Sequence, residues 1–238
     1  MPRLDILVAK SGLAESRQRA QALIIAGKVR VAGETVRRPD RSVSDEASIS
    51  VDAAPAYASR GALKLDPAMT TFGVDPTGLV CADIGASTGG FTDVLLRRGA
   101  AKVYAIDVGR GLLHWRLRQD PRVVVIERVN ARDLESFPEP VSLIVVDISF
   151  IGLEKVLPAL HDAAPEARVV ALFKPQFQVG RAEVGKGGIV RDQAAIDTAL
   201  DGLRQWCAGN GYEVRAQAPS ELPGPGGNRE IFLDLVPS

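Results

Sequence analysis

Lys64, Asp147, Lys174 and Glu230 lie far apart in a chain of 238 residues, yet three of them border apolar runs. Asp147 follows Val141–Val146, Lys174 follows Arg168–Phe173 and Glu230 opens the run that ends at Val236. Lys64 lies on a helical stretch leading into these segments. A charge directly behind a buried apolar strand is hard to explain as a solvated surface group. Two lysines and two carboxylates at one sheet edge form a set able to draw a proton from a hydroxyl. Lysine acts as a base only if its pKa is lowered, and a second ammonium does that while carboxylates hold both cations in place. Lys174 is read as the base, with Lys64, Asp147 and Glu230 tuning and orienting it. A purely electrostatic role, steadying a developing alkoxide, stays open for the same lysine.

Between Lys64 and Asp147 lies Asp83-Ile-Gly-Ala-Ser-Thr-Gly-Gly-Phe91. Position 87 is serine, so this is not the dinucleotide G-x-G-x-x-G fingerprint. Gly85, Gly89 and Gly90 let backbone approach a ligand, and a helix starting near Gly90 offers free N–H donors. Those donors suit the methionyl carboxylate of S-adenosyl-L-methionine. Asp83, Gly85, Ala86, Ser87, Gly89, Gly90 and Phe91 form the expected loop of the cofactor site. Asp107, followed by Val108, ends the next strand, where a carboxylate can accept from both ribose hydroxyls. Asn130, in the turn Val129-Asn-Ala-Arg132, is placed for adenine, and Asp147 serves both sets. The combined chemistry is removal of the proton from a ribose 2′-OH and methylation of its oxygen.

The elements that must position these residues alternate. Strands are predicted at 79–84, 102–107, 122–127, 141–147 and 168–173, and helices at 90–98, 111–118, 152–162 and 192–208. A helix beginning around Ser59 and running to about Phe72 precedes them. Runs such as Val141–Val146 suit strands buried on both faces of a parallel sheet. Tyr212–Ala218 and Glu230–Val236 read as two strands joined without a helix. A seven-stranded α/β sheet closed by an antiparallel pair is the class I (Rossmann-like) methyltransferase build, and the open ends of its parallel strands are where ligands bind.

Residues 3–52 differ: helix, helix, then short strands. Ser16 suits an N-cap for a helix over 17–26, Gly27 a left-handed C′ position, and Ala32-Gly33 a hairpin turn. Net charge is zero overall, but Met1–Arg41 carries nine Lys/Arg against four acids. That excess points to a polyanion or to a solvated face. No aromatic residue interleaves with it, which favours phosphate and shape contacts with folded RNA over base stacking. Cys81, Cys207, His114 and His161 have no metal-ligand spacing, so no metal site is expected. No apolar run approaches the roughly 18 residues of a membrane span. The chain reads as soluble and cytoplasmic.

The N-terminal segment resembles the S4 RNA-binding domain through Arg3-Leu-Asp5, Gly12-Leu13, Ser16-Arg17, Ala20, Leu23-Ile24, Gly27, Val29, Val31 and Val36. The whole chain resembles the TlyA (hemolysin A-like) family, an S4 domain joined to an FtsJ/RrmJ-type methyltransferase. Ser59-Arg-Gly61, Lys64-Leu65, Asp83–Thr92, Asp107-Val-Gly109, Asn130-Ala-Arg132, Asp147-Ile-Ser-Phe150, Phe173–Phe177, Gly185–Asp192 and Gly227-Asn228…Glu230 carry that likeness. It implies 2′-O-methylation of cytidine in ribosomal RNA, with Lys64, Asp147, Lys174 and Glu230 as the catalytic tetrad. It also implies an S4-like domain over 1–53, a linker over 54–60 and a methyltransferase domain over 61–238. Ribosomal RNA or a ribosomal subunit is the expected partner, met by Arg3, Arg17, Arg19, Lys28, Arg30, Arg60, Arg181, Lys186 and Arg191. The family has a shorter form acting on large-subunit RNA and a longer form acting on both subunits; the limits of this chain fit the shorter. Three alternatives stand beside this reading: another RNA, such as transfer RNA; an RNA-binding module with an inactive α/β domain, against which the intact tetrad argues; or a membrane-lysing protein, for which neither an apolar span nor a strongly amphipathic helix is visible. The stretch Gly180–Arg191 reads either as a lid over RNA or as a flexible connection, and Phe150 either as a stacking residue for a flipped base or as core.

Overall fold

A computed structural model of the protein describes residues 1–52, 57–224 and 226–238. The part of the expected linker at 54–56 lies outside the described residues. Two compact units form, Met1–Ala56 and Tyr57–Ser238.

In the first unit, α1 (Leu4–Lys10) and α2 (Arg17–Ile25) precede β1 (Val29–Val31), β2 (Glu34–Val36) and β3 (Ile49–Val51). The strands pair antiparallel in the order β2-β1-β3. Ser16 Oγ accepts from the Arg19 N–H at 3.1 Å, Gly27 takes φ +71°, and Ala32 and Gly33 make the turn with φ 51° and 84°. The local signals for caps and hairpin therefore act as read. Leu4, Val8, Ala20, Ile24 and Val29 form the core. Buried beside it is Asp5, which accepts from Arg3 Nε and Nη2 (both 3.1 Å), Arg17 Nε (3.0 Å) and Gln21 Nε2 (2.6 Å). Those bonds hold its carboxyl well below the usual range, the Arg3 bond first and against the effect of burial.

The second unit runs α3 (Ala62–Thr71), β4 (Val80–Ile84), α4 (Gly90–Arg97), β5 (Lys102–Asp107), α5 (Trp115–Arg118), β6 (Val123–Glu127) and β7 (Leu143–Val146). It continues through α6 (Leu157–Ala163), β8 (Arg168–Phe173), α7 (Gln193–Ala208), β9 (Tyr212–Pro219) and β10 (Ile231–Pro237). Its seven strands lie in the order β6-β5-β4-β7-β8-β10-β9. The first five are parallel, and β10 runs antiparallel to both neighbours. Alternate residues of each central strand enter opposite layers, as the period of two requires. Ala82, Ile84, Ile144, Val146, Val169 and Ala171 pack with α6 and α7; Cys81, Leu143, Val145, Val170 and Leu172 pack with α3 and α4. This double burial is why the strands read as unbroken apolar runs.

The helix predicted over 111–118 shrinks to α5. Gly111 takes φ +71°, and His114 Nδ1 caps the Arg116 N–H at 3.2 Å. Leu113 and Leu117 are buried beneath Gly89, so the short turn is held by packing and not by helical length. The helix predicted over 152–162 begins with a 3-10 turn at Leu153–Lys155 and becomes α-helical only at Leu157.

Candidate active site

Three of the four expected catalytic residues sit where a strand meets the same edge of the sheet. Asp147 and Lys174 come directly after β7 and β8. Glu230 comes directly before β10, and Ile231 pairs with Phe173, so the antiparallel direction brings Glu230 to the end where β8 stops. Lys64 lies in the first turns of α3.

The four resolve into two ion pairs. Lys64 Nζ lies 2.6 Å from Glu230 Oε2, and Lys174 Nζ lies 2.5 Å from Asp147 Oδ1. Lys174 also donates to Ser149 Oγ at 3.1 Å, a partner not expected from sequence although Ser149 stands two residues after Asp147. Glu230 and Lys174 are buried, Glu230 almost completely. Glu230 Oε1 and Asp83 Oδ1 are buried without a hydrogen-bond donor among the described residues.

Two adjoining clefts share Gly85, Ser87 and Asp147. The first, about 510 Å³, is walled by Ser59, Arg60, Gly61 and Lys64 on one side and by Ala86, Thr88, Gly90 and Phe91 on the other; Pro223, Gly224 and Gly227 close it. The second, about 270 Å³, is lined by Asp107, Val108, Leu112, Asn130, Ile148 and Phe150 among others. The Asp107 carboxylate is held by its own loop: Oδ2 accepts from Ser87 N at 2.8 Å and Oδ1 from Gly109 N at 2.7 Å. Each oxygen keeps lone-pair capacity toward the cleft. Asn130 Oδ1 accepts from the Arg132 N–H at 3.1 Å.

The loop glycines are demanded by the protein's own packing. A Cβ on Gly85 would lie 2.5 Å from the Asp147 carbonyl oxygen, one on Gly89 2.2 Å from Leu117 Cδ1, and one on Gly90 2.2 Å from Ser59 Oγ. Gly85 and Gly90 also line the first cleft, so internal packing adds a second reason for glycine beside the expected approach to a ligand. Asp83 lies beneath the loop and lines neither cleft. Its Oδ2 accepts from Thr92 N (2.8 Å) and Thr92 Oγ1 (2.6 Å), tying β4 to the first turn of α4. Phe91 is buried against Phe232, with ring centroids 6.0 Å apart.

The expected RNA-facing residues divide. Arg3 and Arg17 spend guanidinium N–H groups on Asp5, and Arg30 donates to Asp52 at 2.9 Å. Arg19 and Lys28 are exposed, and Arg60 stands at the rim of the first cleft. Arg181, Lys186 and Arg191 are exposed on a loop of two 3-10 turns. Phe150, one of two readings at the sequence level, is not core: it is 87% exposed with φ 72°. Among the described residues no group of three or more His, Cys, Asp or Glu side chains could hold a metal, and no helix is long and apolar enough to cross a membrane. Both cysteines are buried, which pushes the Cys81 thiol up to about 12 and the Cys207 thiol to about 11.

Known proteins resemble this chain along most of its length. The FtsJ-like methyltransferase family matches residues 57–235, and the S4 domain family matches residues 2–49. The chain is 48% identical over 238 residues to the 16S/23S rRNA (cytidine-2′-O)-methyltransferase TlyA of Mycobacterium tuberculosis, covering 98% of this chain and 89% of that one. It is 41% identical to a Brachyspira hyodysenteriae protein called Hemolysin A, covering 98% and 99% of the two chains. The solved structure of a hemolysin-named protein from Streptococcus thermophilus superposes with a TM-score of 0.76 at 39% identity, covering 99% of this chain and 88% of that one. With an S4 domain ahead of an FtsJ-like methyltransferase domain, and with this identity along nearly its whole length, the chain belongs to the TlyA (hemolysin A-like) family of methyltransferases.

Proposed function

We propose that the protein transfers a methyl group from S-adenosyl-L-methionine to the 2′-oxygen of a cytidine in ribosomal RNA, in the cytoplasm. The observation that carries this reading is the pair of lysine–carboxylate bridges at one sheet edge, with Asp147 standing in both clefts. The donor set fits the cofactor: Asp107 and Asn130 face the second cleft with acceptors suited to a nucleoside, and the loop from Gly85 walls both clefts. S-Adenosylmethionine, when bound, supplies an electrophilic methyl on a sulfonium. Transfer of that methyl to a ribose oxygen would require the hydroxyl proton to leave. Lys174, held by Asp147 and Ser149, takes that proton once its own ammonium proton has passed to solvent. Lys64 and Glu230 brace the other side of the first cleft. The alternative, in which Lys174 remains an ammonium and steadies the forming alkoxide, predicts activity in Lys174→Arg; a proton acceptor at 174 predicts none, since a guanidinium does not give up its proton in proteins. The S4 unit and the basic loop Arg181–Arg191 supply the phosphate contacts that fix RNA register.

The test is transfer of labelled methyl to separated 16S and 23S RNA and to both ribosomal subunits. Wild type labels a ribose oxygen, and Lys174→Ala falls by about 10²-fold or more. Transfer to no ribosomal substrate, with cofactor binding intact, would overturn the assignment of substrate; transfer that survives in Lys174→Ala would overturn the role of Lys174.

A further inference from the structure

The basic loop Gly180–Arg191 and the turn ahead of Glu230 come from distant stretches of chain, and one side chain joins them. Asn228 is buried. Its Oδ1 accepts the N–H of Val190 at 2.9 Å, and its Nδ2 donates to the Gly188 carbonyl at 2.8 Å. Its own carbonyl accepts the Gly224 N–H at 2.9 Å. Gly224 in turn lies against the catalytic carboxylate: a Cβ there would sit 2.5 Å from Glu230 Oε1. The loop is closed on itself by Gly185 N–H bonding to the Ile189 carbonyl at 3.0 Å. Gly187 and Gly188 both take positive φ, 77° and 75°, and impose little stiffness of their own.

The chemistry of these contacts selects an amide. One end meets a donor and the other an acceptor, both main-chain groups. A carboxylate would set an oxygen against the Gly188 carbonyl, and an alkyl side chain would leave the buried Val190 N–H and the part-buried Gly188 carbonyl without these partners. The loop bonded in this way carries Lys186 and is followed by Arg191, both exposed. The turn bonded in this way leads two residues later to Glu230, which holds Lys64.

We infer that Asn228 is a positioning residue that makes the basic loop and the Glu230–Lys64 pair one mechanical unit, so that RNA phosphates gripped by Lys186 and Arg191 are placed against the reactive cleft. The inference rests on the proposed methyl transfer to RNA and adds to it a residue that touches neither RNA nor cofactor. It makes the loop a fixed jaw, where the sequence alone left a lid or a loose connection.

The experiment compares wild type with Asn228→Ala and Asn228→Asp in two readouts. Limited trypsin digestion follows the bonds after Lys186 and Arg191. Both variants should be cut there at least about tenfold faster than wild type, as expected for loss of one or two side-chain hydrogen bonds, with other sites unchanged. Methyl transfer to ribosomal RNA is then measured in a cycle with the double variant Lys186→Ala/Arg191→Ala. Asn228→Ala should lose about tenfold in kcat/KM, and removing the two charges should cost much less in that background than in wild type. Wild-type cleavage rates in both variants, or losses that multiply independently, overturn the inference. A merely structural asparagine would open trypsin sites throughout the chain and give independent losses. If Asn228→Ala does not fold, Asn228→Asp keeps the volume and the acceptor and carries both readouts. Should wild type transfer no methyl to any RNA, the functional reading fails, while the trypsin comparison still decides whether Asn228 locks the loop.

Discussion

Lys64 and Glu230 are 166 positions apart in sequence, and their charged ends meet at 2.6 Å inside the molecule. The Glu230 side chain has no solvent exposure and Lys64 has little, so each ion depends on the other. Lys64→Met therefore strands a buried carboxylate and is expected to cost roughly 3–5 kcal/mol of stability. Lys64→Met/Glu230→Gln should recover most of that loss, because the stranded charge is gone, while methyl transfer stays low in both. Urea unfolding of the two single variants and the double variant checks this. A double variant no more stable than Lys64→Met would show that the pair matters for packing and not for charge.

Asp83 gives the protein a pH dependence of unusual sign for a carboxylate. Burial pushes its carboxyl up to about 7 against the two bonds from Thr92, and the nearby charges of Asp147 and Asp107 add to the rise. The unfolded chain loses this proton near pH 4. Between about pH 4 and pH 7 the folded state holds a proton that the unfolded state has released, so stability falls as pH rises through that window and levels above it. Asp83→Asn keeps an acceptor for Thr92 and removes the titration. It should be the more stable protein at pH 8, by on the order of a few kcal/mol, and should lose the advantage toward pH 4. Unfolding midpoints at pH 5 and pH 8 decide; a parallel fall in variant and wild type would place the pH dependence elsewhere.

The sheet was legible because its strands are buried on both faces and bounded by charges, and the edge holding Asp147, Lys174 and Glu230 follows from strand direction alone. The bonds that organise that edge were not. That Lys64 pairs with Glu230 and Lys174 with Asp147 depends on where α3 and β10 pack, which no local pattern encodes. The loop glycines were visible, but the neighbours that exclude a Cβ, Asp147, Leu117 and Ser59, come from three other segments. The same holds for Asn228, whose partners at 188 and 190 are about forty residues away.

Arg17 and Arg19 share the first turn of α2 and look equivalent in sequence, but Asp5 separates them. Arg17 compensates a buried carboxylate, whereas Arg19 is exposed and forms no ion pair among the described residues. Arg19→Ala is expected to weaken binding to ribosomal RNA and to reduce the salt dependence by about 0.9 in log–log slope per lost phosphate contact, without changing unfolding. Arg17→Ala should lower RNA affinity and stability together. Because the carboxyl of Asp5 is held below its ordinary value, its contribution is present above about pH 4 and lost as pH falls further into the acid range. Titrations at two salt concentrations beside thermal unfolding separate the variants, and an unfolding shift in Arg19→Ala would contradict the division.

Phe150 is held in a conformation that neither burial nor backbone preference explains. It is 87% exposed, takes φ 72°, and rests its ring 5.4 Å from that of Phe177 at the border of the second cleft. A non-glycine residue there costs of order 1 kcal/mol, and strain of this kind gathers at functional sites. Stacking on an unpaired base is worth roughly 1–3 kcal/mol, enough to justify the exposed ring. Phe150→Gly removes the ring and the strain at once. Stability should be unchanged or slightly higher while kcat/KM falls by about tenfold or more, and Phe150→Trp should retain most activity. Methyl-transfer kinetics beside unfolding midpoints test both halves. Full activity in Phe150→Gly would remove the stacking role, and a matching fall in stability would return the ring to the protein's own packing.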